Sequence, residues 1–147
     1  MTKLNLPPFD FNIRSSGQSK EIFDSFRRKY IVLTPEEWVR QHFAVFLRDQ
    51  LHYPQGLMAL EVEFKSNGVS NRADIVVYDR SGSPWMIVEC KAPEVKLSQD
   101  VFYQASRYHS GLGASFIAIT NGLVHYCCVL KQDGFEFVKS FPEYPNP

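Results

Sequence analysis

Two short strand-like runs carry the residue types that chemistry would need. Asp74-Ile75-Val76-Val77-Tyr78 begins on an acid, and Ile87-Val88-Glu89-Cys90-Lys91 ends on Glu-x-Lys. Side chains alternate along a strand, so Glu89 and Lys91 share one face while Val88 and Cys90 take the other. Two carboxylates beside a lysine at a strand end are costly unless something uses them. A divalent cation together with a phosphate would. The same residues allow a plainer reading: Asp74 caps a strand end, and Glu89 pairs with Lys91 or Arg72 as a surface ion pair worth about 0–1 kcal/mol.

The elements that must position these groups follow from local pattern. A strand is expected over residues 57–64, with Glu61 and Glu63 on one face, then turn chemistry at Ser66-Asn67-Gly68. Strands over 72–78 and 85–91 flank a loop at 79–84, and Pro93 stops the second of them. Upstream, Thr34-Pro35-Glu36-Glu37 is a helix start. Thr34 suits the N-cap, Pro35 the first helical position, and Glu37 completes a capping box. Val39, Phe43, Phe46, Leu47 and Leu51 recur at helical spacing, and the helix should end near Tyr53-Pro54. A second helix is expected over 98–110, with Val101, Ala105 and Tyr108 inward and Gly111-Leu112-Gly113 at its end.

Strands over 115–120, 123–130 and 135–141 then follow, joined at Asn121-Gly122 and Asp133-Gly134. At the other end of the chain, residues 9–33 read as a β-hairpin about a turn-rich 15–19, and the Pro-rich tail at 142–147 is expected to be loose. The order gives an α/β class: a mixed β-sheet flanked by helices, with an N-terminal β-hairpin, in one domain over 1–147 with its core at about 30–130.

Composition narrows the function classes. The chain has 147 residues, 44% of them hydrophobic and 22% charged, with a formal net charge of zero. These are globular values, and they exclude a global basic field. A protein acting on nucleic acid would need a local basic patch or a partner that supplies affinity. Cys90, Cys127 and Cys128 have no metal-ligand spacing and no disulfide framework, which fits a reducing compartment. No signal-peptide core and no apolar run of about 20 residues is present, so a cytoplasmic protein with no membrane partner is expected. His42, His52, His109 and His125 lack paired spacing, which argues against zinc.

Taken as a set, the motifs carry a resemblance. Asp74 followed by Glu89-Cys90-Lys91, on the second and third strands of a meander between two helices, resembles the PD-(D/E)xK or restriction-endonuclease-like superfamily. Ala73 stands where the pattern has proline. Thr34 to Gln41, Arg72 to Tyr78, Val88 to Pro93, Gln104 with Tyr108, and Ile119 to Gly122 together are similar to the N-terminal nuclease domain of type I restriction R subunits.

The resemblance implies Mg²⁺ (or Mn²⁺) held by Asp74, Glu89 and the Cys90 carbonyl, with Glu36 an outer acid through water and Lys91 orienting the attacking water. Glu36 shares the stripe of Val39 and Phe43 and is preferred over Glu37 as the helix-borne acid. Gln104 would fix Lys91 or a phosphate oxygen. Tyr108, Arg107, Arg40 and Arg72 would contact nucleic acid. The implied function is a metal-dependent phosphodiesterase acting on DNA. The alternative is a catalytically silent nucleic-acid-binding or assembly module of a restriction-modification or repair complex. A third reading is a homodimer joined through Phe23, Phe26 and Tyr30.

Overall fold

A computed structural model describes residues 1–146 and, at 107–110, the backbone alone. Its centre is a six-stranded mixed sheet in sequential order β4-β5-β6-β7-β8-β9. The strands are Met58–Ser66 (β4), Val69–Tyr78 (β5), Pro84–Cys90 (β6), Phe116–Thr120 (β7), His125–Lys131 (β8) and Gly134–Phe137 (β9). All neighbours are antiparallel except β6 and β7, which run parallel. A parallel pair needs a crossover, and the helix α2, Gln99–His109, supplies it. The α/β class and the mixed sheet flanked by helices are therefore as expected.

Helix α1, Pro35–Asp49, starts where its signals place it, with Thr34 Oγ1 accepting from Glu37 N–H at 3.0 Å. It ends at Asp49 rather than near Tyr53, and a short 3-10 turn, Gln55–Leu57, leads into β4. Val39, Phe43 and Leu47 pack with Ile75, Val77, Met86, Val88 and Cys90 in the main core. Helix α2 covers the opposite face, where Phe102 and Ala105 meet Ile117, Ile119 and Cys128. Strand parity thus sends Val88 and Cys90 toward α1, and Ile87 and Glu89 toward the other layer.

Before α1 lies a three-stranded antiparallel meander of Ile13–Ser16 (β1), Ser19–Asp24 (β2) and Lys29–Val32 (β3). The expected hairpin is there, shifted and extended. Residues 9–12 are not strand, and the run 21–33 is broken by a turn at 25–28. The physical cause is local: Asp24 Oδ1 accepts from Phe26 N–H at 2.7 Å and Arg27 N–H at 2.8 Å, and Arg28 takes a φ of 57°. Ile22 on β2 is fully buried, and Gln41 of α1 bonds Asp24, so the meander covers the side of α1 turned away from the sheet.

The tail is docked rather than loose over 142–146. Tyr53 Oη donates to the Pro142 carbonyl and Tyr144 Oη to that of Tyr78, each at 2.6 Å. The Tyr144 ring lies 5.3 Å from Trp85 and 5.9 Å from Tyr53. The last strand is correspondingly shorter than the expected 135–141. Among the described residues no helix is long and apolar enough to cross a membrane.

Candidate active site where β5 leaves β6

The pairing of β5 with β6 covers only Ile75↔Val88 to Tyr78↔Pro84. The first half of β5 stays with β4 and parts from β6, and a cleft of about 610 Å³ opens in the gap. Glu89 and Lys91 line it from β6, Arg72 and Asn71 from β5, and Gln104 from α2. Lys91 Nζ stands 3.6 Å from Glu89 Oε1, so the Glu-x-Lys pair shares one face as alternation requires. Four of the expected site residues, Glu89, Lys91, Gln104 and Arg72, therefore meet in one polar space.

Asp74 sits at the fork, behind the lining. Lys91 N–H donates to Thr120 on β7 at 2.8 Å. The next amide back, Cys90 N–H, faces β5, where Asp74 Oδ2 accepts it at 2.7 Å. The other oxygen, Oδ1, accepts from Arg40 Nη2 at 2.8 Å. Burial first, and the negative charge of Glu89 second, push Asp74 from 3.8 up to about 7, against the pull of Arg40 and of the Cys90 amide. Glu89 is thus close enough for its charge to reach Asp74. A dication would relieve that conflict directly.

Other expected residues are placed differently. Arg40 does not face nucleic acid: it is 4% exposed. Its Nη2 bonds Glu36 (2.9 Å), Glu61 (2.8 Å) and Asp74 (2.8 Å), and its Nη1 bonds Glu37. Burial alone would lower its pKa, but the charges of Asp74 and Glu37 more than offset this and hold it above the ordinary range.

The two helix-borne acids differ from expectation in burial, although Glu36 still bonds the Arg40 nitrogen that holds Asp74. Glu36 is at the rim, its side chain 48% exposed, while Glu37 is buried. Glu37 keeps its amide in the Thr34 cap, but its carboxylate turns inward to Arg40, Gln41 and Arg27. Three charged or amide partners in a buried setting outweigh the exposed return bond of a capping box. Arg107 and Tyr108 lie in α2, but their side chains are outside the described residues. The Cys90 thiol is buried in the α1 layer and burial pushes its pKa well up, so only its backbone carbonyl is available to a cation.

Glu61 belongs to this cluster, although strand alternation alone puts it only on a face shared with Glu63. Between the pairs Leu60↔Ile75 and Val62↔Ala73 it takes a φ of 59°, a region that non-glycine residues seldom occupy. The kink aims its carboxylate at Arg40 and Arg72. Burial works against its charged form, yet those two cations hold its pKa below the usual value. The doublet of acids at 61 and 63 was the visible signal, but nothing local announced the kink.

Among the described residues no group of three or more His, Cys, Asp or Glu side chains is arranged to hold a cation. Mg²⁺, however, is commonly bound through one or two carboxylates, with water and substrate phosphate completing the shell. Asp74 and Glu89 supply that pair, each Asp74 oxygen keeps a further lone pair, and the charge of Glu89 on Asp74 favours a dication. The donor set therefore fits.

Against known proteins, residues 35–142 match the family described as the type I restriction enzyme R protein N terminus. No curated protein matches the chain. The matched span takes in α1, the whole six-stranded sheet and α2, and leaves β1–β3 outside it.

Proposed function

Since the chain belongs to the family of type I restriction enzyme R protein N termini, we propose that it is a metal-dependent phosphodiesterase acting on DNA, with restriction-modification subunits as its partners and the cytoplasm as its setting. One observation carries the reading: Glu89, Lys91, Gln104 and Arg72 line one cleft, and Asp74 holds the amide of Cys90, the residue between Glu89 and Lys91, at the fork of β5 and β6.

In this reading Asp74, Glu89 and the Cys90 carbonyl hold Mg²⁺ or Mn²⁺. When bound, the ion polarises the scissile phosphate and acidifies a water. The chain's own groups do the rest. Arg72, with its side chain 58% exposed at the cleft, neutralises phosphate charge. Lys91 stands beside Glu89, offsets charge developing on the phosphorus oxygens and orients the attacking water. Gln104 reaches into the cleft from α2 and steadies Lys91 or a phosphate oxygen.

Incubation of the protein with DNA and Mg²⁺ or Mn²⁺ tests this. Nicking or degradation is expected, with loss in Asp74→Ala and Lys91→Ala. Full activity in either variant would reject the assignment.

A second reading has its own observation. Both oxygens of Asp74 are already held by protein donors, as a scaffold without chemistry would have them. A silent nucleic-acid-binding or assembly module would bind no cation, so calorimetry showing no heat at millimolar Mg²⁺ selects it.

A further inference from the structure

We propose that Arg40 is a positioning residue for Asp74, and that the N-terminal meander braces it through Arg27 and Glu37. The proposal rests on the phosphodiesterase reading and adds to it a support drawn from outside residues 35–142.

The contacts form one continuous chain, buried except at Arg27, whose side chain is 18% exposed. Asp24, at the end of β2, accepts from the Phe26 and Arg27 amides and from Gln41 Nε2 at 2.9 Å. The Arg27 guanidinium joins Asp24 to Glu37, whose Oε2 lies 2.8 Å from Nη2. Glu37 in turn holds Arg40 Nη1, and Arg40 Nη2 holds Asp74. Asp74 closes the chain on the Cys90 amide. Asp24 is 0% exposed, Glu37 and Arg40 4%, and Asp74 7%, so water competes weakly at those links, while the half-buried Arg27 is the most open of the five.

Geometry explains why arginine is needed. The guanidinium is a rigid planar fork, and here one prong points to Glu37 and the other to Asp74. A lysine carries a point charge on a flexible stem and cannot span both. Held at Oδ1 by Arg40 and at Oδ2 by the Cys90 amide, the Asp74 carboxylate has a fixed orientation. A cation held by only two carboxylates depends on that orientation, because waters fill the remaining positions and impose little of their own. Outer groups that orient metal ligands typically contribute about 10–100-fold in metal affinity or activity. Arg40 is too deeply buried to touch a phosphate backbone.

The test uses the full chain with Arg40→Lys, Arg40→Met and Arg27→Gln, each first shown to be folded by circular dichroism. Three quantities are read: Mn²⁺ affinity by calorimetry, kcat and KM for DNA cleavage, and hydrogen exchange of the Cys90 amide by NMR without metal. In Arg40→Met, Mn²⁺ affinity and kcat should fall about 10–100-fold, KM should stay unchanged, and the Cys90 amide should exchange faster relative to Val88. Arg40→Lys should not restore them. Arg27→Gln should move the same quantities the same way by less.

Unchanged Mn²⁺ affinity and Cys90 exchange in folded Arg40→Met overturn the proposal. So does a rise in KM alone, which would mean that Arg40 acts on DNA binding through Glu61 and Arg72 and not on Asp74, and so does full rescue by lysine. No shift in Arg27→Gln removes the meander from it. If the wild type neither binds Mn²⁺ nor cleaves DNA, the phosphodiesterase reading falls, while Cys90 exchange still decides whether Arg40 holds Asp74. Should Arg40→Met not fold, Glu37→Gln tests the same chain by the same three readouts.

Discussion

Replacing Asp74 with asparagine separates the electrostatics of the fork from its packing. The two side chains have nearly the same shape, but only the acid titrates. In the folded protein burial and Glu89 lift Asp74 from 3.8 to about 7. At about 1.36 kcal/mol per pH unit, those three or so units correspond to roughly 4 kcal/mol. The folded value is the higher one, so the contribution is fully present below pH 3.8 and is lost as the pH rises through 7. Between those limits the folded state holds a proton that the unfolded state has released, and stability must fall with pH. Asparagine cannot release a proton, so its stability should lack this slope.

Urea denaturation of both proteins at several pH values from 4 to 8, without divalent cation, measures the difference. Wild type should lose roughly 4 kcal/mol relative to Asp74→Asn across that range. The absolute offset is a separate matter, because asparagine cannot accept from both Arg40 and the Cys90 amide. Adding Mn²⁺ should stabilise wild type more at pH 8 than at pH 6, since a cation binds the ionised carboxylate. A stability difference between the two proteins that does not change with pH would refute the coupling of Asp74 to its buried surroundings and to Glu89.

Three further outcomes are expected. Lys91→Ala should reduce DNA cleavage by about 10²–10³-fold without weakening Mn²⁺ binding in calorimetry, because it removes a cation 3.6 Å from Glu89 and no ligand. Tyr144→Ala should cost about 2–3 kcal/mol in urea denaturation, as it deletes the ring packed on Trp85 and Tyr53 and the hydroxyl bonded to the Tyr78 carbonyl. Gly122→Ala should lower the melting temperature: the residue sits at a φ of 85°, worth about 1–2 kcal/mol for a side chain, and a Cβ there would meet Leu4 Cδ2 at 2.7 Å.

Local signals carried the sheet well. Alternation, β-branched runs and turn residues placed all six of its strands to within a few residues, and Thr34 marked the start of α1 to the residue. The site was legible where it depends on strand parity, as in Glu89 and Lys91. It was not legible where a side chain answers to something distant in sequence. Glu61 leaves the strand alternation because Arg40 and Arg72 draw it. Tyr144 docks because Trp85 and Tyr53 offer a surface made by other strands. Neither residue carries a local mark of its destination.

The unequal burial of Glu36 and Glu37 shows how this happens in one helix. Periodicity assumes a single buried stripe, and by that rule Glu36 belongs with Val39 and Phe43. Helix α1 has two buried sides. Val39, Phe43 and Leu47 face the sheet, while Glu37 and Gln41 face the Asp24–Arg27 corner of the meander. The second side is polar, so no hydrophobic pattern reports it. Its partners, Asp24 and Arg27, become visible only once the meander is folded over the helix. A site built around Asp74 therefore depends on residues that look like ordinary surface charge until the layer covering them is in place. The charged positions that face this second side, and not the apolar stripe, are where substitutions should alter how Asp74 is held.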